Sequence, residues 1–183
     1  GRGAASLLYV TVSTGIGGGW VLEGQVYRGA DSLAGEIGHL AVDPAGPPCV
    51  CGKRGCVEAI GSGTNIARLM NERTGERGWT AADVNAAAEA GHPLAREALA
   101  TAARALGQGL GYAITLMNPE KIVIGGGVAG AGPFYWGVLR QTALAYVLPE
   151  MRRRTAENIG PAGLGGDSPL WGAVALAEGI SQP

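Results

Sequence analysis

The chain has 183 residues, which suits one domain with a single sizeable core, and 33 of them are glycine. Its hydrophobic content of 46% argues against disorder, and a net charge of −1 excludes an overall electrostatic footprint for nucleic acid or an anionic membrane. No apolar run reaches the roughly 18 residues that span a bilayer, and no signal peptide opens the chain. We therefore expect a cytoplasmic protein without a membrane partner.

The N-terminal segment predicts a strand, a glycine-rich turn and a hairpin. Residues 6–14 are apolar and β-branched, Gly15 to Gly19 follow, and Glu23-Gly24 separates two short apolar runs. Because a strand and not a helix follows the glycines, neither a dinucleotide-binding fingerprint nor a Walker loop is present. Such a turn can direct main-chain N–H groups at an anion, with the Thr14 hydroxyl beside them, although a purely structural turn is the more frequent case.

Three clustered cysteines, Cys49, Cys51 and Cys56, lie within eight residues. An odd, clustered set is a poor disulfide framework, and thiols without a secretion signal more often hold a metal. A closed tetrahedral zinc site needs a fourth ligand, and His39, ten residues before Cys49, is the better placed of two histidines. His92 is interpreted as a solvated linker residue. Spacing alone supports zinc and a loop of three reduced cysteines equally.

The rest of the chain is predicted from apolar periodicity and helix caps. Helices are expected over 65–72, 80–89, 93–117, 134–148 and 170–180, and strands over 121–124 and 155–159. Gly107, Gly109 and Gly111 each cost the longest helix about 1 kcal/mol relative to alanine, which indicates that something packs closely against it. Both a neighbouring strand and a ligand remain open. The order predicts an α/β lobe with a mixed sheet, an N-terminal hairpin and covering helices.

Five segments taken together resemble the ROK family (repressors, open reading frames and sugar kinases) of the actin-like ATPase superfamily. They occur in family order over nearly the whole chain, at 13–19, 34–39, 49–58, 118–127 and 171–177. The cysteine segment with its upstream Glu-x-Gly-His is the most specific of them. The resemblance implies an α/β fold of the actin-like ATPase (ribonuclease H-like) type.

The resemblance also implies roles for individual residues. A structural zinc would be bound by His39, Cys49, Cys51 and Cys56, and a hexose by Glu36, His39 and Glu58. The phosphates of Mg-ATP would lie on Thr14, Gly15, Gly17 and Gly18, and its adenosine on Gly125, Gly126 and Gly127. Zinc on one imidazole nitrogen leaves the other as a donor at a set angle, and a carboxylate can accept two hydroxyl hydrogen bonds. Homodimers are frequent in the family.

The family's kinases have two lobes, and the resemblance implies that residues 1–183 form the C-terminal lobe, with the zinc loop at 39–56 inserted. The N-terminal lobe, with the aspartate that takes the proton from the sugar hydroxyl, is then absent from this chain. No aspartate here stands in the matching motif, so none is nominated as the catalytic base. We expect the chain alone to be inactive.

Two functions follow from the resemblance. One is an ATP-dependent hexose kinase of the glucokinase type, and the other is a sugar-responsive transcriptional repressor whose N-terminal helix-turn-helix would also be absent. Nucleic acid is a partner only in the second case. The intact glycines of both turns favour the kinase, because a bulky residue would block a phosphate or a purine, whereas Ser13 stands where family kinases often have glycine. A sugar-binding remnant without chemistry is least favoured, and glucose is the default among several possible hexoses.

Overall fold

In the computed structural model, which describes residue 1 and residues 3–177, the strands form one mixed sheet. The strands are β1 (Ser6–Val12), β2 (Ile16–Leu22), β3 (Gln25–Tyr27), β4 (Lys121–Gly125) and β5 (Ile159–Pro161). Their spatial order is β3-β2-β1-β4-β5, antiparallel from β3 to β1 and parallel from β1 to β5. This confirms the predicted α/β fold with a mixed sheet and an N-terminal hairpin.

Seven helices accompany the sheet in the described ranges. They are α1 (Val57–Gly61), α2 (Gly63–Thr74), α3 (Ala81–Glu89), α4 (Pro93–Met117), α5 (Pro133–Ala145), α6 (Arg152–Asn158) and α7 (Ser168–Ala177). One hydrophobic core joins buried side chains of β1, such as Leu8 and Val10, to the apolar face of α4 with Leu106 and Leu110. None of the described helices is long and apolar enough to cross a membrane.

The glycine-rich segment forms less of a turn than its sequence suggests. Strand β1 ends at Val12 and β2 begins at Ile16, so the turn shrinks to residues 13–15. Gly17 and Gly18 pair with β1 inside the sheet. A Cβ atom on Gly18 would lie 2.6 Å from the carbonyl oxygen of Gly35, so close backbone packing requires the glycine at this position.

Several element boundaries differ from the sequence prediction. The strand expected over 155–159 is wrong, because α6 occupies 152–158 and β5 pairs with β4 only from Ile159 onward. The Arg140 side chain donates hydrogen bonds to the Ile159 carbonyl at 3.1 and 3.3 Å, which helps to hold the start of β5. Helix α5 ends at Ala145 and not at residue 148. The expected C-terminal helix is present as α7, and residues 178–180 lie outside the described part of the chain.

The glycines of α4 pack against other helices and not against a strand or a ligand. A Cβ on Gly107 would lie 2.6 Å from the Leu139 carbonyl oxygen of α5, and one on Gly109 would lie 2.8 Å from Val57 of α1. His92 is exposed as expected, but it is also the N-cap of α4, where its Nδ1 accepts a hydrogen bond from the Ala95 N–H at 3.4 Å.

Candidate functional site

The structure brings the predicted metal ligands together. One potential ligand atom from each of His39, Cys49, Cys51 and Cys56 lies within 4.8 Å of the others. The Cys49 Sγ to His39 Nδ1 distance and the Cys51 Sγ to Cys56 Sγ distance are both 3.6 Å. A tetrahedral zinc ion with ordinary bond lengths separates two sulfur atoms by about 3.8 Å and a sulfur from a nitrogen by about 3.5 Å. These two distances therefore match a tetrahedral zinc ion, and the widest separation in the cluster, at most 4.8 Å, would need to close by about 1 Å.

Backbone hydrogen bonds in the cysteine loop position these ligands. The Val42 N–H donates to the Gly55 carbonyl at 2.8 Å, and the Cys49 N–H donates to the Lys53 carbonyl at 2.8 Å. The Lys53 ammonium donates to the His39 carbonyl at 2.6 Å, which ties the loop to the turn that carries His39. Gly55 has a φ of +62°, and a side chain there would overlap the Asp43 carbonyl, so only glycine suits the position just before Cys56.

The surroundings of Cys51 and Cys56 shift their pKa values in opposite directions. A hydrogen bond from the Lys53 backbone holds the pKa of Cys51 below its usual range. Burial, followed by hydrogen bonding to Cys51 and Cys49, raises the pKa of Cys56 to about 12. A bound divalent cation would favour the thiolate form of each cysteine that binds it, because its positive charge stabilises the negatively charged sulfur. Cysteine sulfur and histidine nitrogen are ligand atoms that zinc commonly binds, so the types of ligand atom in the cluster also suit zinc.

Glu36, His39 and Glu58 lie around the same short turn, Ile37–His39. His39 directs Nδ1 at the cysteines, and its Nε2 lies 3.8 Å from Glu36 Oε2. A Cβ placed on Gly38 would lie 3.4 Å from the Glu58 Cβ, so Glu58 stands directly beside this turn. Glu36 and His39 retain 55% and 29% of their side-chain exposure, which leaves both accessible to a ligand.

Glu58 also contacts the glycine-rich turn at the end of β1. Its Oε2 accepts a hydrogen bond from the Ile16 N–H at 2.8 Å. Glu58 is the second residue of α1, and Ile16 is the first residue of β2, 42 positions earlier. The predicted sugar carboxylate and the predicted phosphate turn are therefore in direct contact.

A cavity of about 520 Å³ opens beside this turn. The residues that line it come from the turn, from the starts of α2 and α3, from α4 and from the segment after β4, and they include Ser13, Thr14, Thr64, Trp79, Thr80, Asn85, Leu99, Gly127 and Val128. A second cavity, of about 550 Å³, is lined by Thr11, Ser13, Gly125, Gly126 and Gly127 among others. Since Ser13, Gly127 and Gly130 line both cavities, the two adjoin.

The predicted nucleotide residues fall into two groups. Thr14 and Gly125 to Gly127 line these cavities, whereas Gly15, Gly17 and Gly18 line neither of the two. Gly126 has a φ of +86° and packs against the Val12 carbonyl, so it shapes the turn. Beside Gly127 no described atom would lie within 4 Å of a Cβ, which leaves its surface open.

Several residues that line the cavity of about 520 Å³ were not predicted from the sequence. The Thr64 hydroxyl donates to the Thr14 carbonyl at 2.9 Å and the Gly63 N–H donates to the Ser13 carbonyl at 2.7 Å, so the start of α2 holds the turn. The Asn85 Oδ1 accepts the Gly132 N–H at 3.1 Å. The sequence pointed to this region only through the predicted helix cap at Thr80. That cap locates the start of α3, but it does not show which segments pack beside it.

Comparisons with known proteins show the family and the fold of this chain. The model of the ROK family matches residues 1–180. A glucokinase from Halalkalibacterium halodurans is 39% identical over 192 residues, covering 97% of this chain and 58% of that protein. The crystal structure of a ROK hexokinase from Thermus thermophilus superposes with a TM-score of 0.84 at 37% identity, covering 94% of this chain and 58% of its own. The crystal structure of a ROK family glucokinase from Streptomyces griseus, in complex with glucose and AMPPNP, superposes with a TM-score of 0.82 at 28% sequence identity. The match covers 96% of this chain and 61% of that chain.

A transcriptional regulator of the same family is also similar. This homologue of the E. coli MLC protein superposes with a TM-score of 0.75 at 31% identity, covering 86% of this chain and 41% of its own. The chain spans 51% to 58% of the length of the two glucokinases it matches. With the family model matched over almost all its residues and the fold shared with solved ROK sugar kinases, the chain has the actin-like ATPase fold and belongs to the ROK family.

Proposed function

We propose that the chain is the C-terminal lobe of an ATP-dependent hexose kinase that transfers a phosphoryl group from Mg-ATP to a sugar hydroxyl. The observation that carries the proposal is the contact of Glu58 with the Ile16 N–H, at 2.8 Å. It joins a group of hydroxyl-binding side chains to a turn beside a large cavity. A kinase needs this adjacency, because the sugar oxygen and the transferred phosphoryl group must meet in line.

The chain's own residues account for binding and orientation in this proposal. The carboxylates of Glu36 and Glu58 accept hydrogen bonds from sugar hydroxyls, and His39 donates one from Nε2. The turn at residues 13–15 faces the phosphates, and the cavity of about 520 Å³ receives the nucleoside. Phosphoryl transfer depends on positioning and charge stabilisation more than on covalent chemistry, so these tasks are a substantial share of catalysis.

The catalytic base belongs to another part of the protein in this proposal. No described aspartate lies among the residues that form the sugar group or line the two cavities. The relatives are longer than this chain, which supports a second lobe that supplies the base and closes the cleft. The chain alone then binds ligands weakly and does not turn over.

Zinc is the metal that we assign to the cysteine cluster. It would be held by His39 Nδ1 and the sulfur atoms of Cys49, Cys51 and Cys56, in a site with four protein ligands and no open position. Its contribution is structural, because it fixes the ring orientation of His39 and braces the loop. Mg²⁺ would bind together with ATP, as the Mg-ATP complex. We also propose a cytoplasmic location, and a homodimer because homodimers are frequent in the family.

The test is phosphorylation of hexoses by the two-lobed protein. We expect ATP-dependent formation of a sugar phosphate, detected by mass spectrometry, and no product from residues 1–183 alone. Turnover by the short chain would contradict the assignment of the base to another lobe.

A variant of Glu36 sharpens this test. Glu36→Gln should raise the KM for the sugar about tenfold, because a hydrogen bond to a charged group is replaced by a weaker one. Glu157→Gln, an exposed carboxylate on α6 without a described side-chain partner, is the matched control and should leave the KM unchanged. An equal change in the KM for the sugar in both variants would refute the assignment of Glu36 to the sugar site.

The repressor remains the second candidate, because a solved regulator of the family is 31% identical to this chain. It predicts sugar-dependent DNA binding by the longer protein and no phosphorylated product. The open cavity next to Gly127 favours the kinase, since a regulator has no need of a nucleotide site. A mobility shift of operator-length DNA that responds to sugar, without turnover, would decide for the repressor.

A further inference from the structure

Among the described residues, one of the two Glu58 carboxylate oxygens has a hydrogen-bond partner. Oε2 accepts the Ile16 N–H at 2.8 Å, in a partly buried position. Oε1 has no hydrogen-bond partner among the described residues, and the Glu58 Cβ lies beside Gly38, in the turn that carries Glu36 and His39. An anionic carboxylate that keeps one oxygen free next to exposed polar groups is prepared to accept a second donor.

Gly15 is a glycine because of this carboxylate. A Cβ built on Gly15 would lie 2.6 Å from Glu58 Oε2, and apart from atoms of Glu58 it would meet no described atom within 4 Å, its chain neighbours aside. The φ of Gly15 is not in the left-handed region, so its backbone suits an ordinary residue. The constraint on position 15 is therefore the close approach of the Glu58 side chain and not the shape of the turn.

From these two contacts we infer that Glu58 is a positioning residue that couples the sugar site to the phosphate turn, with Oε2 holding the turn and Oε1 accepting a sugar hydroxyl. This inference rests on the proposed kinase function and specifies how its two ligands communicate. Sugar bound at Oε1 orders the carboxylate, and the ordered carboxylate fixes the Ile16 N–H and the turn before it. Because coupling of binding sites is reciprocal, bound nucleotide strengthens sugar binding by the same factor.

A purely structural Glu58 would behave differently. In that case the carboxylate would only stabilise the turn, and a change at Gly15 would alter nucleotide binding without reaching the sugar. The inference instead predicts that a methyl group on the nucleotide side displaces Oε2 and weakens sugar binding in the absence of any nucleotide.

The first experiment measures glucose affinity by calorimetry in the two-lobed protein without nucleotide. Gly15→Ala should weaken glucose binding about tenfold, the loss expected for one charged hydrogen bond. Gly19→Ala is the matched control, because no described atom lies within 4 Å of its added Cβ, and it should leave the affinity unchanged. In a Glu58→Ala background, Gly15→Ala should add no further loss. Equal glucose affinities of Gly15→Ala and Gly19→Ala would overturn the coupling.

The second experiment measures binding of AMPPNP without sugar. Glu58→Ala should weaken it about tenfold, and Glu58→Gln should restore it, because an amide oxygen can still accept the Ile16 N–H. Glucose affinity should stay low in Glu58→Gln, since its amide nitrogen presents a donor where Oε1 accepts. Both variants should keep their zinc content, because Glu58 is not among the four clustered ligands.

The outcomes separate this inference from the proposed function. Wild-type protein that binds neither glucose nor AMPPNP would refute the kinase, and the coupling with it. Wild-type protein that binds both, with Glu58→Gln no better than Glu58→Ala for AMPPNP, would refute the positioning role alone.

Discussion

Gly107, in the middle of α4, is a position where helix propensity and tertiary packing predict opposite effects of a substitution. Propensity alone favours alanine over glycine by about 1 kcal/mol. A Cβ at this position would lie 2.6 Å from the Leu139 carbonyl oxygen and 2.8 Å from the Thr142 Cβ, both in α5. Gly107→Ala therefore tests whether the contact between α4 and α5 is as close as the structure shows.

The expected magnitude follows from these two overlaps. Ordinary contact begins near 3.4 Å, so α4 and α5 must separate locally by about 0.6–0.8 Å. Overpacking of a core costs typically 1–3 kcal/mol, and an overlap with a helix carbonyl, which cannot rotate away, belongs at about 3 kcal/mol. After the gain of about 1 kcal/mol from propensity, Gly107→Ala should destabilise the chain by about 2 kcal/mol.

Gly137→Ala is the matched control. Gly137 lies inside α5, is exposed, and has no described atom within 4 Å of an added Cβ, so only propensity acts there. Thermal and urea unfolding should show the midpoint of Gly107→Ala lowered by about 4–8 °C and that of Gly137→Ala raised by about 2–4 °C. If both variants gain stability, the close packing of α4 on α5 is refuted.

Two further predictions concern the metal and acid stability. Cys51→Ala should release zinc and loosen residues 36–58, so that sugar affinity in the two-lobed protein falls in proportion to metal content measured by mass spectrometry; undiminished affinity in zinc-free protein would contradict a link between metal and sugar. Hydrogen bonds from the Thr80 hydroxyl and N–H hold the pKa of Asp83 below its usual range, so the stability that Asp83 contributes is present above its unfolded pKa of about 3.9 and is lost as the pH falls through its lower folded pKa. Asp83→Asn should therefore lose stability at pH 6 and show a shallower acid limb in urea titrations, and an unchanged limb would show that the cap does not titrate.

Local chemistry in the sequence predicted much of this molecule. The capping box of Thr80 and Asp83, the Pro93 start of α4 and the Glu23-Gly24 hairpin turn are all present, because each depends on residues within one turn of each other. The clustering of the cysteines was predictable for a related reason, whereas the assignment of zinc to them came from the family resemblance. Three of its four ligands lie in eight residues, and a short loop can close around one ion.

Contacts between distant segments were beyond the sequence. The residues that line the cavity of about 520 Å³ come from five separate parts of the chain, and the contact between Glu58 and Ile16 joins positions 42 residues apart. The strand predicted over 155–159 failed for the same reason, because β5 exists only where β4 offers it a partner.

The glycines show the division between the two levels most directly. Composition and motif drew attention to the glycines at positions 15, 18 and 107, and the family resemblance implied that the first two contact a bound phosphate. Tertiary structure decided what each glycine approaches: the Glu58 carboxylate, the Gly35 carbonyl and helix α5. A glycine in the sequence indicates that another group comes close to the backbone. Only the tertiary structure identifies that group, because the two segments in contact lie far apart in the chain.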